Sequence, residues 1–170
     1  MRKLAIIVLI VLPMLGIAQE SQLNTLFNKY SGKDGYTSVY ITSYMFELFS
    51  KITDDGDADF NNLTEGIDAI KIITVNKSSL AESFFKDVDK ALPQSIYKDF
   101  MIVNDGGQEI VFKVHDVGGK IVEFVLIVKD KDEPVLLFLQ GDINLKKIAK
   151  MSKSMDIKGL EHLGKVDKHE

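Results

Sequence analysis

With no cysteine in the chain, carboxylates and imidazoles are the first candidates for chemistry. Asp54, Asp55, Asp57 and Asp59 crowd one short segment around Gly56. Carboxylates at alternate positions can gather round Ca²⁺, a hard ion that takes about six to eight oxygens. Counted from Asp55, however, position six of an EF-hand loop is Phe60 where glycine is needed, and Glu65 falls one residue short of the bidentate position. The segment therefore reads as a solvated acidic turn. His115 lies in an alternating stretch on the side of Lys113, the expected wet face, while His162 and His169 sit in the last residues. Neither HExxH nor a strand-borne HxH occurs. Glu123 interrupts an otherwise apolar run. Buried there, it could have a raised pKa and act as an acid. Such a group more often lies at a sheet edge or is paired with lysine or tyrosine, and one or the other is the expectation.

The missing motifs narrow the choices further. Without cysteine there are no thiol nucleophiles, CxxC pairs, iron–sulfur clusters, cysteine zinc sites or disulfides. No GxSxG elbow and no GxGxxG or GxxxxGK[ST] phosphate loop is present. Gly106-Gly107 and Gly118-Gly119 are explained by the positive φ of hairpin turns. Lys146, Lys147, Lys150, Lys153 and Lys158 oppose Ile148, Met151 and Met155. That arrangement could dock on anionic lipid, but it is also the ordinary pattern of a surface helix packed on a core, and that is the expectation. No catalytic, cofactor-binding or metal-ligating residue is assigned, and no cofactor is expected.

The chain has 170 residues, 45% hydrophobic and 27% charged, which is a globular composition. Lys+Arg is 21 against Asp+Glu 25, a net charge of −4, which argues against nucleic acid as a partner. Residues 1–18 have the form of a secretory signal: Arg2 and Lys3, the apolar run Leu4–Leu12, and small residues at Gly16 and Ala18 before Gln19. No cysteine follows for lipid attachment, so a periplasmic or secreted protein is expected rather than a lipoprotein. Residues 19–157 then read as one domain, and 158–170 as a flexible tail. After Ala18 no segment reaches the length of about 20 apolar residues that a membrane span needs.

The elements that must position these groups follow from periodicity. Leu23, Leu26, Phe27 and Tyr30 make one helical stripe over Ser21–Ser31. Tyr36–Thr42 and Ile67–Val75 read as strands. Between them Met45, Leu48, Phe49 and Ile52 repeat the helical spacing, and Phe60–Leu63 adds a turn. Ser79 and Glu82 have the spacing of a capping box ahead of a helix burying Ala81, Phe84, Phe85, Val88 and Leu92. Tyr97–Val103, Glu109–Val117, Ile121–Lys129 and Val135–Gln140 are four strands joined by turn residues, hence an antiparallel meander. Ile121–Val128 is apolar on both faces except Glu123, so it is placed centrally. A last helix covers Ile143–Met155. The order α-β-α-β-α-β-β-β-β-α predicts an α+β fold, a two-layer α/β sandwich on one mixed, mainly antiparallel sheet.

Several of these segments resemble the DUF4252 family: the helix ending in Lys29-Tyr30, the pair Val39–Ile52, the stretch Gly66–Val75, the strand carrying Glu123, and Gly141-Asp142-Ile143-Asn144-Leu145. The resemblance covers nearly all of the chain after the leader. It implies an exported protein of Bacteroidetes type, and it implies no established activity and no functional residues. Many members look like lipoproteins; this chain lacks their cysteine.

Three functions compete. The leading expectation is a non-enzymatic envelope protein that binds another protein or contributes to surface maintenance. The alternative is a carrier of an apolar small molecule or lipid, its pocket lined by Phe84, Phe85, Phe112, Phe124 and Phe138. The second alternative is a hydrolase built on Glu123 and a partner carboxylate. A large internal cavity would favour the carrier, and a polar cleft with shifted pKa values the hydrolase. An exposed apolar patch would favour the protein binder.

Overall fold

The computed structural model describes residues 21–52 and 58–148. The leader, Asp54, Asp55, Asp57, most of the last helix and the tail lie outside them. Within them run α1 (Gln22–Tyr30), β1 (Tyr36–Thr42), α2 (Ser43–Ile52), α3 (Ala58–Thr64), β2 (Ile67–Val75), a 3₁₀ turn (Ser78–Leu80), α4 (Ala81–Ala91), β3 (Tyr97–Asp105), β4 (Gln108–Val117), β5 (Lys120–Lys129) and β6 (Val135–Ile143).

The strands form one six-stranded sheet in the order β1-β2-β6-β5-β4-β3. Every neighbouring pair is antiparallel, so the expected parallel component is absent. Two connections explain this. α2 and α3 together take the chain out and back, so Thr42 leaves and Ile67 returns at the same end of the sheet. α4 does make a crossover between two strands of the same direction, β2 and β3. β6, β5 and β4 stand between that pair, so no parallel ladder forms.

The expected α+β fold on one sheet holds, with helices on both faces of that sheet rather than on one. α1 and α4 pack one face through Leu23, Leu26, Phe27, Tyr30, Phe84 and Val88, against Val125, Ile127, Leu136 and Phe138. The other face is a second apolar cluster, in which Phe46, Met45 and Phe60 of α2 and α3 meet Ile70, Leu137 and Leu139. Helices therefore flank the sheet on both sides. β5 shows the reason in its sequence: Val125 and Ile127 go to one cluster, Phe124, Leu126 and Val128 to the other.

Local signals hold in part. Ser21 is the N-cap of α1, its hydroxyl accepting from the Leu23 amide. The Ser79–Glu82 capping box does not form. Ser79 lies inside the 3₁₀ turn, and α4 starts at Ala81 without a side-chain cap. α2 follows β1 with no intervening residue, so the strand sets its rotation. Phe46 faces the core, while Leu48 and Phe49 of the expected stripe stay exposed. β6 runs past Gln140 to Ile143 because Gly141, at φ 137°, carries the strand over Gly66. A Cβ at Gly141 would lie 2.0 Å from the Gly66 carbonyl oxygen.

Candidate functional site

The meander brings Tyr97, His115, Glu123 and Gln140 into one lateral row. Tyr97 lies opposite His115, His115 opposite Glu123, and Glu123 opposite Gln140. The N-cap of α1 closes the row from its own side of the sheet. The Glu123 carboxylate accepts at Oε1 from Ser21 Oγ (2.5 Å) and Gln140 Nε2 (2.8 Å). At Oε2 it accepts from Tyr97 Oη (2.6 Å) and faces His115 Nδ1 at 3.2 Å. A carboxylate only accepts, so Nδ1 carries a proton. The Tyr97 and His115 rings lie with centroids 5.5 Å apart.

Burial pushes the Glu123 pKa up, and the hydrogen bonds from Ser21, Tyr97, Gln140 and His115 outweigh it, so the carboxyl sits below its ordinary value. This is the reverse of the raised value that an isolated acid in an apolar strand would show. The Tyr97 phenol moves the other way, raised by burial and by the anion it serves. His115 is half-buried against Glu123 rather than on a wet face.

A groove of about 670 Å³ opens over this row at the end of the sheet. Ile96 and Val122 supply apolar wall, Gln22 and Asp68 polar wall, and Asp142 is held by Lys120 at 3.0 Å. Glu123 and His115 form the acid–imidazole half of a nucleophile-activating triad. The serine hydroxyl at the site, Ser21, and the Tyr97 phenol both donate to Glu123 instead of the imidazole, so the triad order is not built.

A different surface lies at the β1 edge. Val39, Tyr40, Tyr44, Leu48 and Phe49 are between 39% and 63% exposed there. Beneath Tyr40 sits Lys71, a buried cation that sequence reading passed over. Its ammonium donates to Asn24 Oδ1 at 2.5 Å and lies 4.7 Å from the Tyr40 ring centroid and 5.4 Å from that of Phe27.

The remaining expectations sort by place. Phe84 and Phe138 belong to one apolar cluster, Phe112 and Phe124 to the other, so the sheet separates the residues expected to line a shared carrier pocket. Asp54, Asp55, Asp57, His162, His169, Lys150, Lys153 and Lys158 lie outside the described residues. Lys147 pairs with Glu65 at 2.7 Å. Among the described residues no His, Asp and Glu group is placed to hold a metal ion, and no helix is long and apolar enough to cross a membrane.

The chain belongs to the family described as a domain of unknown function (DUF4252), whose model matches residues 30–151. Tyr97, His115, Glu123 and Gln140 fall within that match, while Ser21 precedes it. No curated protein and no solved structure matches.

Proposed function

We propose that the protein is exported to the envelope or periplasm and acts there as a non-enzymatic module that binds another protein. The observation that carries this reading is the apolar patch at the β1 edge, where Tyr40, Tyr44 and Phe49 are each more than half exposed. Large exposed aromatic groups along one edge of a sheet and the helix that continues it are suited to anchor a protein interface. The groove over Glu123 gathers polar groups with shifted pKa values, the feature a hydrolase would show, but its carboxylate is taken up by the fold. Its four acceptor positions are all engaged by the protein's own donors, which leaves no lone pair for a substrate proton. Export is supported by the form of residues 1–18.

Mass spectrometry of the mature protein tests export; a first residue of Gln19 is expected, and a chain retained from Met1 in the membrane fraction overturns it. A photo-crosslinker placed at Tyr44 tests binding, with one at Lys131, on the far hairpin, as control. Protein adducts from Tyr44 alone are expected. Turnover of esters, glycosides or peptides by the wild type that vanishes in Glu123→Gln would overturn the non-enzymatic reading.

A further inference from the structure

The two edges of the sheet are built differently. β3, at one edge, carries Lys98, Asp99 and Asp105, and its ladder is broken by a bulge between Asp99 and Met101. These are the devices by which exposed edges avoid pairing with other chains. β1, at the other edge, reads Tyr-Thr-Ser-Val-Tyr-Ile-Thr from Tyr36 to Thr42, with no charge and no proline. Its register with β2 runs without a shift through all seven residues. Among the described residues it pairs with β2 alone, so its outer row of backbone donors and acceptors faces outward.

We propose that β1 pairs antiparallel with β1 of a second copy about a two-fold axis at Val39, joining two sheets into one. The inference rests on the binding reading above and names the partner of its patch. Self-complementarity of the strand argues for a second copy. With Val39 on the axis, Tyr40 faces the partner's Ser38, Thr42 the partner's Tyr36, and Ile41 the partner's Thr37. On the α1 face each tyrosine meets a small hydroxyl residue. On the α2 face β-branched residues meet one another, the pairs that stabilise antiparallel ladders. All seven positions are uncharged, so the two-fold brings no like charges together. α2 follows β1 directly, so Tyr44 and Leu48 flank the joined strands.

The chain's lack of cysteine makes the test clean. Residues facing each other across an antiparallel ladder have Cα atoms about 4.5–5.5 Å apart, inside the reach of a disulfide. Val39→Cys is expected to oxidise to a covalent dimer, whereas Ile102→Cys on the β3 edge stays monomeric. As a check on register, Thr37→Cys mixed with Ile41→Cys should give the heterodisulfide in preference to either homodisulfide. The two thiols of a Thr37→Cys pair would stand roughly 13 Å apart along the ladder, too far to bond. Sedimentation of the wild type should show a dimer, and Val39→Lys should raise its dissociation constant by about tenfold or more. Circular dichroism establishes that each variant is folded. A wild type that remains monomeric at about 100 μM, with no Val39→Cys dimer, overturns the proposal. So does a disulfide through Ile102→Cys, or a Tyr44 crosslink to a different protein. That last result would leave the binding reading standing, which separates the two failures.

Discussion

A carboxylate offers about four acceptor positions, and Glu123 fills them from Ser21, Gln140, Tyr97 and His115. The consequence is a stability that depends on pH. The folded pKa lies below the ordinary value of 4.5, so the contribution is present above that pH and is lost as pH falls through the folded value. Glu123→Gln is expected to lower stability at pH 7 by about 2–3 kcal/mol and to flatten the acid limb of a denaturation series. The phenols of Tyr30 and Tyr97 are both raised from 10.0, chiefly by burial. Their contribution holds below about pH 10 and is lost as pH rises from there. Spectrophotometric titration should show two tyrosines that ionise only on alkaline unfolding. Glu123 stood out in the sequence as an acid in an apolar run, but its partners did not. Two-residue hairpins counted simply would pair Glu123 with Val114 and Tyr97 with Asp116. A shift between His115 and Asp116 and another between Asp99 and Met101 move each pairing by one residue. Those single steps build the row, and no local signal in the sequence marks them.

Elements whose own residues carry the decisive signal were legible. Leu23, Leu26, Phe27 and Tyr30 are all buried as their spacing predicts, and Ser21 caps their helix. Gly106, Gly107, Gly118 and Gly119 all take positive φ in the two meander turns. Elements set by their neighbours were not legible. α2 is rotated by the strand it continues, and helices on both faces could not be deduced from stripes that each need only one surface. Ser21→Ala should lower stability by about 1–2 kcal/mol, because it removes both the cap and one donor to Glu123; chemical denaturation measures it. Gly141 and Gly118 make a contrasting pair. A Cβ at Gly118 meets nothing within 4 Å, so Gly118→Ala carries only backbone strain, about 1 kcal/mol. At Gly141 the added atom meets backbone at 2.0 Å, and Gly141→Ala should cost more than about 4 kcal/mol or prevent folding.

At the scale of the whole molecule, the sheet carries two unlike surfaces: a groove whose floor is an anchored carboxylate, and an apolar edge left open beside α2. The fold uses the first to fasten α1 to the meander, and the binding proposed above falls to the second. The sequence contained the edge in plain form, as seven uncharged residues from Tyr36 to Thr42. Their place at the rim depended on β6 inserting next to β2, a long-range choice that only the assembled sheet displays. The central claim is that Glu123 serves structure, leaving binding as the protein's work. Its most direct test is an NMR titration of the Glu123 side-chain carboxyl carbon in the folded protein. The account predicts a carboxyl midpoint below 4.5. A midpoint raised above 4.5 toward neutrality would mark a poised acid over the groove and contradict it.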